Sequence, residues 1–164
     1  MQVVEAPWLT LKNLRLVYLL LESHQRAFNR PLHACKDFNV VSRVVAQEVF
    51  ALESPLMAHG GGSDPLLIYA NSSALRLWRR QWKEMVGMPS RLTAPVEGQF
   101  QREIALKKAL QFDALSGYEG IRIDSNGKRF AIHDARIWTI CNKEGKAFGQ
   151  AATFSNWHLI THLQ

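Results

Sequence analysis

The sequence predicts an α+β domain in which a five-stranded antiparallel sheet carries helices on one face, with two additional helices at the N-terminus. The last third of the chain carries this prediction, because it reads as three strands at residues 117–124, 128–141 and 147–154. The turn between the first two contains Asn126-Gly127, a pair that accepts the positive φ of a tight hairpin. Gly145 provides the same conformation in the second, longer turn. Three strands are not stable alone in water, so elements upstream must cover their apolar face.

Length and composition indicate one globular domain. The chain has 164 residues, of which 47% are hydrophobic and 21% are charged, and this is enough to bury a core. The formal charge of +6 would permit contact with nucleic acid. However, the lysines and arginines are scattered, with no run longer than a pair such as Arg79-Arg80. Scattered charge is typical of a solvated surface, which argues against nucleic-acid binding.

The cysteines and the apolar segments favour a cytoplasmic protein without membrane contact. Cys35 and Cys141 are far apart and form no CxxC pair, as expected of free thiols in a reducing compartment. The longest apolar run, at residues 16–21, is too short to span a bilayer. It also lacks the small-residue cleavage site of a signal peptide.

Two helices are predicted in an N-terminal extension, residues 1–53, that packs on the domain. Thr10 is the expected N-cap of a helix that ends at about residue 28 or 29. Its apolar stripe is wider than one packing face needs, which indicates either burial on two sides or a dimer interface. A second helix is predicted at 38–52, beginning after Asp37, although its valines make a strand the competing interpretation.

The core of the domain is predicted at residues 54–157, followed by a tail at 158–164. Short strands are expected at residues 55–59 and 66–69. Asn71 or Ser72 is the expected N-cap of a helix at 73–85, and a longer helix is predicted at 96–112.

Several motifs in order resemble those of the MEKHLA domain, a PAS-like module found alone in bacteria and at the C-terminus of plant class III homeodomain leucine-zipper proteins. The motifs are His59-Gly60, Asp64-Pro65, Tyr69-Ala70-Asn71, Pro89-Ser90-Arg91, Tyr118-Glu119-Gly120-Ile121-Arg122, Lys128-Arg129-Phe130, Ile137-Trp138 and Gly149-Gln150-Ala151-Ala152. The resemblance, to the stand-alone bacterial type, covers about residues 20–157. The chain differs in having Ala58 where the family usually has Ser, and it matches weakly at 32–50. The resemblance implies a PAS-like sensor or interaction module, without naming a ligand or reaction.

The cofactor of such a module stays unknown, although two familiar candidates lack their ligands here. A cysteinyl-flavin sensor needs a Cys on the helix after the strand-to-helix turn, and residues 73–85 contain none. A haem sensor usually offers a His from the long helix, and residues 96–112 contain none. The sequence therefore argues against both, while a flavin held without a covalent bond stays open.

No catalytic or metal site is predicted. Ser90 has no base near it in sequence, and His133 and Asp134 are consecutive in a strand, so they should point to opposite faces. His158 and His162 have the spacing of one helical turn but lack the Glu of an H-E-x-x-H motif. We therefore interpret them as part of a frayed tail.

A polar and aromatic set is predicted to converge on the concave face of the sheet and to bind a ligand. Arg122 is expected opposite approximately Ala131, and several guanidinium groups in one pocket would suit a carboxylate or a phosphate. The alternative for each residue is structural: a helix cap, a backbone hydrogen bond or a surface ion pair. The nine candidates are His59, Tyr69, Asn71, Arg91, Tyr118, Arg122, Arg136, Trp138 and Gln150.

Three functions follow from these observations. The first is a non-catalytic sensory domain that binds a small, anionic ligand between sheet and helices and signals to a partner. The second is a ligand-free interaction module that forms a homodimer or binds another protein through the N-terminal helices. The third is a small-molecule enzyme, because isolated α+β domains of this size include enzymes.

Overall fold

The computed structural model describes residues 5–34 and 42–161, which form one six-stranded sheet with helices on both faces. Short 3-10 turns occupy Pro7–Leu9 and Ser90–Thr93. The helices are α1 (Leu11–Phe28), α2 (Arg43–Phe50), α3 (Ser72–Trp78), α4 (Trp82–Met85) and α5 (Val96–Phe112). The strands are β1 (Leu56–Gly60), β2 (Leu67–Ala70), β3 (Ala114–Ile123), β4 (Arg129–Cys141), β5 (Ala147–Thr153) and β6 (Asn156–Leu159).

The sheet has the order β2-β1-β5-β4-β3, and all these neighbours are antiparallel. The predicted α+β architecture is therefore confirmed. The sixth strand, β6, pairs with the first half of β4. Strand β5 pairs only with the second half of β4. His158 and Leu159 belong to this strand, so the residues described at the start of the predicted tail are not frayed. Leu159 pairs with Phe130.

A single residue in β4 changes which side chains face each side of the sheet. Asp134 has a φ of +53°, a left-handed conformation in the middle of the strand. Phe130 and Ile132 before it pack against α3, while Ile137 after it packs against α5 on the same side. In a strand with regular alternation, Ile137 would face the side opposite to Phe130 and Ile132, because it is an odd-numbered residue and they are even-numbered. The left-handed residue therefore shifts the alternation by one.

The N-terminal helices cover one side of the sheet, which we call the α1 face. Leu20 and Leu21 of α1 are buried in the same cluster as Trp138 and Ile140 of β4. Leu14 and its neighbours pack against this cluster from its edge. The wide apolar stripe of α1 is thus used for packing within the chain. Helices α3 and α5 cover the opposite side, which we call the α5 face.

The predicted start of α1 and both ends of α5 agree with the structure, whereas the predicted helix at 73–85 is divided. The Thr10 side chain accepts a hydrogen bond from Asn13 N at 3.3 Å, and α5 has the predicted bounds. The single helix predicted at 73–85 is two helices, because Arg79 adopts a φ of +55° and ends α3. Left-handed residues are a common way to end a helix.

The second N-terminal helix is shorter than predicted within the described residues. Helix α2 begins after Ser42, whose side chain accepts a hydrogen bond from Val45 N at 3.2 Å. Asp37 and residues 38–41 lie outside the described residues, as does Cys35. Cys141 is a free thiol.

In the two described ranges, no helix combines the length and apolar character required to cross a membrane.

Candidate functional site

A cavity of about 40 Å³ lies between the sheet and helix α5. It is on the α5 face, where Ile132 and Ile137 of β4 contribute apolar walls together with Leu106 of α5. Its larger polar lining residues are His59, Arg102, Tyr118, Arg122 and Gln150. Among the described residues that line it there is no Asp or Glu. The cavity therefore combines apolar walls with two guanidinium groups and no carboxylate.

Strand β3 supplies Tyr118 and Arg122 to the cavity with a glycine between them. The Arg122 Nη2 donates to the Tyr118 Oη at 3.3 Å, and its Nη1 donates to the Ile121 carbonyl at 2.9 Å. A Cβ on Gly120 would lie 2.5 Å from the Tyr118 Oη and 2.8 Å from the Arg122 Nη1. A larger residue at position 120 would therefore have to displace the ends of these two side chains.

Strand β1 supplies His59 with one ring nitrogen engaged. The Nδ1 lies 2.8 Å from the Gly60 carbonyl oxygen, which can only accept, so Nδ1 carries the proton. Burial lowers the pKa of His59 below its ordinary value, and the charge of Arg102 acts in the same direction. The ring is therefore neutral near pH 7, and its Nε2 lone pair is buried without a hydrogen-bond partner among the described residues.

Helix α5 supplies Arg102, whose charge is poorly solvated. Burial, together with the nearby charge of Arg122, lowers the pKa of Arg102 to about 10. Both groups remain cationic at neutral pH. Two cations that share an apolar cavity favour an anion between them, because an unpaired buried charge is costly.

Small residues allow α5 to approach the sheet closely enough to form this cavity. A Cβ on Gly98 would lie 3.3 Å from the Ile121 carbonyl oxygen, and Ala105 and Ala109 are buried against the sheet. The Gln150 Nε2 of β5 donates to the Leu106 carbonyl at 2.8 Å and ties the helix to the sheet. The position of α5 over the cavity is thus fixed by small side chains and one amide.

The family of the chain is shown by its match to a family model. The model, described as the MEKHLA domain, matches residues 14–159. This chain belongs to the MEKHLA family. The match extends from α1 to the end of β6 and confirms the resemblance drawn from the motifs. No curated protein shows significant sequence similarity to the chain.

Solved structures similar to this MEKHLA chain are PAS and light-oxygen-voltage domains. A PAS domain from Colwellia psychrerythraea has a TM-score of 0.59 at 13% identity, covering 72% of this chain and 98% of that one. A light-oxygen-voltage domain studied with a flavin analogue has a TM-score of 0.56 at 15% identity, covering 73% and 86%. An RNA-binding light-oxygen-voltage receptor has a TM-score of 0.63 at 15% identity, covering 77% of this chain and 36% of that one. These identities show the fold alone.

A flavin or a haem does not fit this cavity. Pockets for cofactors and drug-sized ligands usually measure roughly 300–1,000 Å³, whereas this cavity measures about 40 Å³. Trp78, Phe130 and Phe154 fill the space between α3 and the sheet with edge-to-face contacts. The segment from α3 to α4 also contains no Cys.

Four of the nine residues predicted from sequence line the cavity together: His59, Tyr118, Arg122 and Gln150. Their role in ligand binding stays a prediction. Arg122 pairs with Phe130 rather than Ala131. Among the described residues, it donates to Tyr118 and to a backbone carbonyl and has no ion pair with a surface carboxylate.

Three of the nine lie on the α1 face instead, which corrects their predicted placement. Arg136 and Trp138 follow the left-handed Asp134, so the shift in alternation turns them away from Arg122. Tyr69 pairs with Ala58 at a register shift in β1 and packs edge-to-face on Trp82 at 5.6 Å. Burial raises the pKa of Tyr69, whose hydroxyl has no hydrogen-bond partner among the described residues.

The remaining two have structural or surface contacts. The Asn71 Oδ1 accepts from Ala74 N at 3.1 Å and from Leu56 N at 2.9 Å, so this residue caps α3 and joins it to β1. The Arg91 Nε donates to the Asp64 Oδ1 at 3.2 Å, with both side chains half exposed. Arg91 is not among the cavity residues.

The cavity residue missed from the sequence is Arg102. The spacing of Gly98, Ala105 and Ala109 could have identified it, because these small residues mark the side of α5 that approaches the sheet. Arg102 falls on the same side of the helix, three residues before Ala105 and four after Gly98. By contrast, large apolar residues such as Phe100 and Ile104 lie on the solvent-exposed side of α5.

The histidines near the end of the sheet form a hydrogen-bonded chain on the surface. His133 Nε2 lies 2.8 Å from His158 Nδ1, and His133 Nδ1 lies 3.3 Å from Glu119 Oε1. Within residues 5–34 and 42–161, no three His, Cys, Asp or Glu side chains are arranged to hold a metal ion. His162 lies outside those ranges.

Proposed function

We propose that this MEKHLA chain is a cytoplasmic, non-catalytic sensory module that binds a small anionic molecule between its sheet and α5 and signals to a partner. The observation that supports this proposal is that Arg102 and Arg122 line the same cavity, whose described lining contains no carboxylate. The fold supports the sensory role, since its structural neighbours are PAS and light-oxygen-voltage domains. Ligand binding would shift α5, and the shift would be sensed by a partner.

The non-catalytic part of the proposal rests on the surroundings of His59. A nucleophile needs a base within hydrogen-bond reach. The Nε2 of His59 is the unpaired base of the cavity, and no described hydroxyl or thiol of the chain is hydrogen-bonded to it.

A thermal-shift screen tests the proposal, using small organic acids and inorganic anions at millimolar concentration. Because a ligand at about 100 times its Kd adds roughly 2.7 kcal/mol, we expect at least one anion to raise Tm by about 5–10 °C. The same compound should not stabilise Arg102→Gln. Arg91→Gln is the matched control, because it removes a half-exposed guanidinium outside the cavity. If no compound raises Tm, or if Arg102→Gln responds as the wild type does, the proposal fails.

The exposed side of α5 favours a second candidate function, an interaction module that pairs with a second copy of itself. Val96 and Phe100 are 84% and 72% exposed, and Ile104 continues the same stripe at intervals of four residues. The helix carries Glu97 and Glu103 in its first half and lysines 107 and 108 in its second. Glu97 is already paired with Arg129 and Glu103 with Lys107, so the apolar stripe rather than charge would drive the pairing of two α5 helices.

Sedimentation velocity at tens of micromolar distinguishes this surface from the N-terminal helices. We expect Phe100→Glu to convert a dimer into a monomer, since a charge replaces the centre of the apolar stripe. Leu11→Glu, at an exposed position of α1, is the matched control and should stay dimeric. A wild-type monomer at this concentration would remove the homodimer, and dissociation by Leu11→Glu alone would return the interface to the N-terminal helices.

A further inference from the structure

We propose that the ligand is a small 2-hydroxycarboxylate, with its carboxylate between Arg102 and Arg122 and its hydroxyl donating to His59. This inference rests on the proposed function and specifies its ligand. It follows from the charge, the hydrogen-bonding capacity and the size of the cavity, taken in turn.

The charges of the cavity call for a carboxylate. Arg122 already donates to a backbone carbonyl and to Tyr118, but neither neutralises its charge. Arg102 faces it across the cavity lining without a carboxylate among the described residues there. Planar guanidinium groups bind carboxylates with two parallel hydrogen bonds. The Tyr118 hydroxyl accepts from Arg122, so its own proton is available to the same anion.

The unpaired nitrogen of His59 calls for a donor on the ligand. Its Nδ1 proton goes to the Gly60 carbonyl, and its Nε2 has no partner among the described residues. A ligand O–H or N–H would satisfy this buried acceptor. An ammonium group would place a third cation beside the two arginines, so a neutral hydroxyl is the better donor.

The small size of the cavity requires the carboxylate and the hydroxyl of the ligand to lie on neighbouring carbon atoms. The volume of about 40 Å³ is far smaller than that of pockets for drug-sized ligands, which measure roughly 300–1,000 Å³. A carboxylate and a hydroxyl therefore fit only when few bonds separate them. The apolar side chains of Leu106, Ile132 and Phe154 in the lining would contact a short alkyl group and offer no hydrogen bond to a polar tail.

Matched probes of nearly equal size test each part of this assignment. We would titrate the full chain at pH 7 with lactate, propionate, lactamide and inorganic phosphate, following the amide resonances of the cavity residues by NMR. Propionate lacks the hydroxyl, and lactamide lacks the charge. We expect lactate to bind roughly tenfold or more tightly than either, because each missing group leaves a buried partner unsatisfied.

Variants locate the two contacts. Arg102→Gln should weaken lactate binding by at least about tenfold, whereas Arg91→Gln should leave it unchanged. His59→Leu should remove the preference for lactate over propionate while retaining the preference for lactate over lactamide. The comparison of the four probes on the wild-type chain decides the assignment even when a variant does not fold.

The outcomes separate this inference from the proposed function. Equal binding of lactamide and lactate overturns the carboxylate, and equal binding of propionate and lactate overturns the hydroxyl. Tighter binding of phosphate, or no binding by any of the four probes, overturns the ligand class. In each case the proposed function stands when another compound stabilises the chain in an Arg102-dependent manner, and it falls with the inference when none does.

Discussion

Replacement of Trp138 by alanine should reduce the free energy of unfolding by about 3–5 kcal/mol, the usual cost of truncating a buried aromatic side chain. The indole is fully buried on the α1 face. It packs edge-to-face on His24 at 4.9 Å and on Phe28 at 6.0 Å. Its neighbours across the strands are Ala114 and Ala151, so no larger side chain is available to fill the space. Domains of this kind are stable by only about 5–15 kcal/mol, so the variant should lose a large part of its stability.

Urea unfolding followed by circular dichroism measures this loss, with Trp157→Ala as the matched control. Trp157 lies on the adjacent strand β6 and is 44% exposed. Its truncation should cost about 1 kcal/mol or less. Equal losses in the two variants would show that Trp138 does not hold α1 on the sheet.

The stability of the protein should also fall as the pH decreases from about 6.5 to about 4, and the buried His24 contributes to this fall. Burial lowers the pKa of His24 from 6.5 to about 4, and the charges of Arg136 and Arg30 act in the same direction. The Nδ1 lies 3.1 Å from the Arg30 carbonyl oxygen, so the neutral ring donates there. The unfolded chain takes up a proton below pH 6.5, whereas the folded chain does so only near pH 4. The contribution is therefore complete above pH 6.5 and lost below about 4.

The difference between these two pKa values corresponds to at most about 3 kcal/mol. Parallel urea titrations of the wild type and of His24→Gln at several pH values isolate the contribution of His24 to the free energy of unfolding. The contributions of all other groups cancel in the difference between the two proteins. Glutamine retains a donor for the Arg30 carbonyl but does not titrate. A difference that stays constant between pH 7 and pH 4 would contradict the assignment.

Much of the fold could be predicted because its signals are local. The Asn126-Gly127 turn sets the β3–β4 hairpin, and Asn71 caps the helix after β2 through its own side chain. The limits of α5 also agree with the prediction. Each of these features depends on a few neighbouring residues, whose conformational preferences appear directly in the sequence.

The site could be predicted only in part because it depends on long-range geometry. Strict alternation from Phe130, the partner of Arg122, would place Arg136 and Trp138 on the same face as Arg122, and this alternation fails at Asp134. Aspartate is one of the few non-glycine residues that enter the left-handed region, but nothing in the sequence marks where it does so. Arg102 was missed for a related reason, since the side of α5 that contacts the sheet is marked by the small residues Gly98, Ala105 and Ala109 rather than by a stripe of large apolar ones.

Helix α5 carries two surfaces that cannot change independently. Arg102 and Leu106 on its inner side line the cavity, while Phe100 and Ile104 on its outer side face solvent. A ligand that moves this helix relative to β3 alters both surfaces at once. By thermodynamic reciprocity, the factor by which such a ligand changes the affinity for a partner on α5 is the factor by which that partner changes the affinity for the ligand. The affinity for the ligand measured with and without the partner, and the affinity for the partner measured with and without the ligand, therefore report the same coupling free energy.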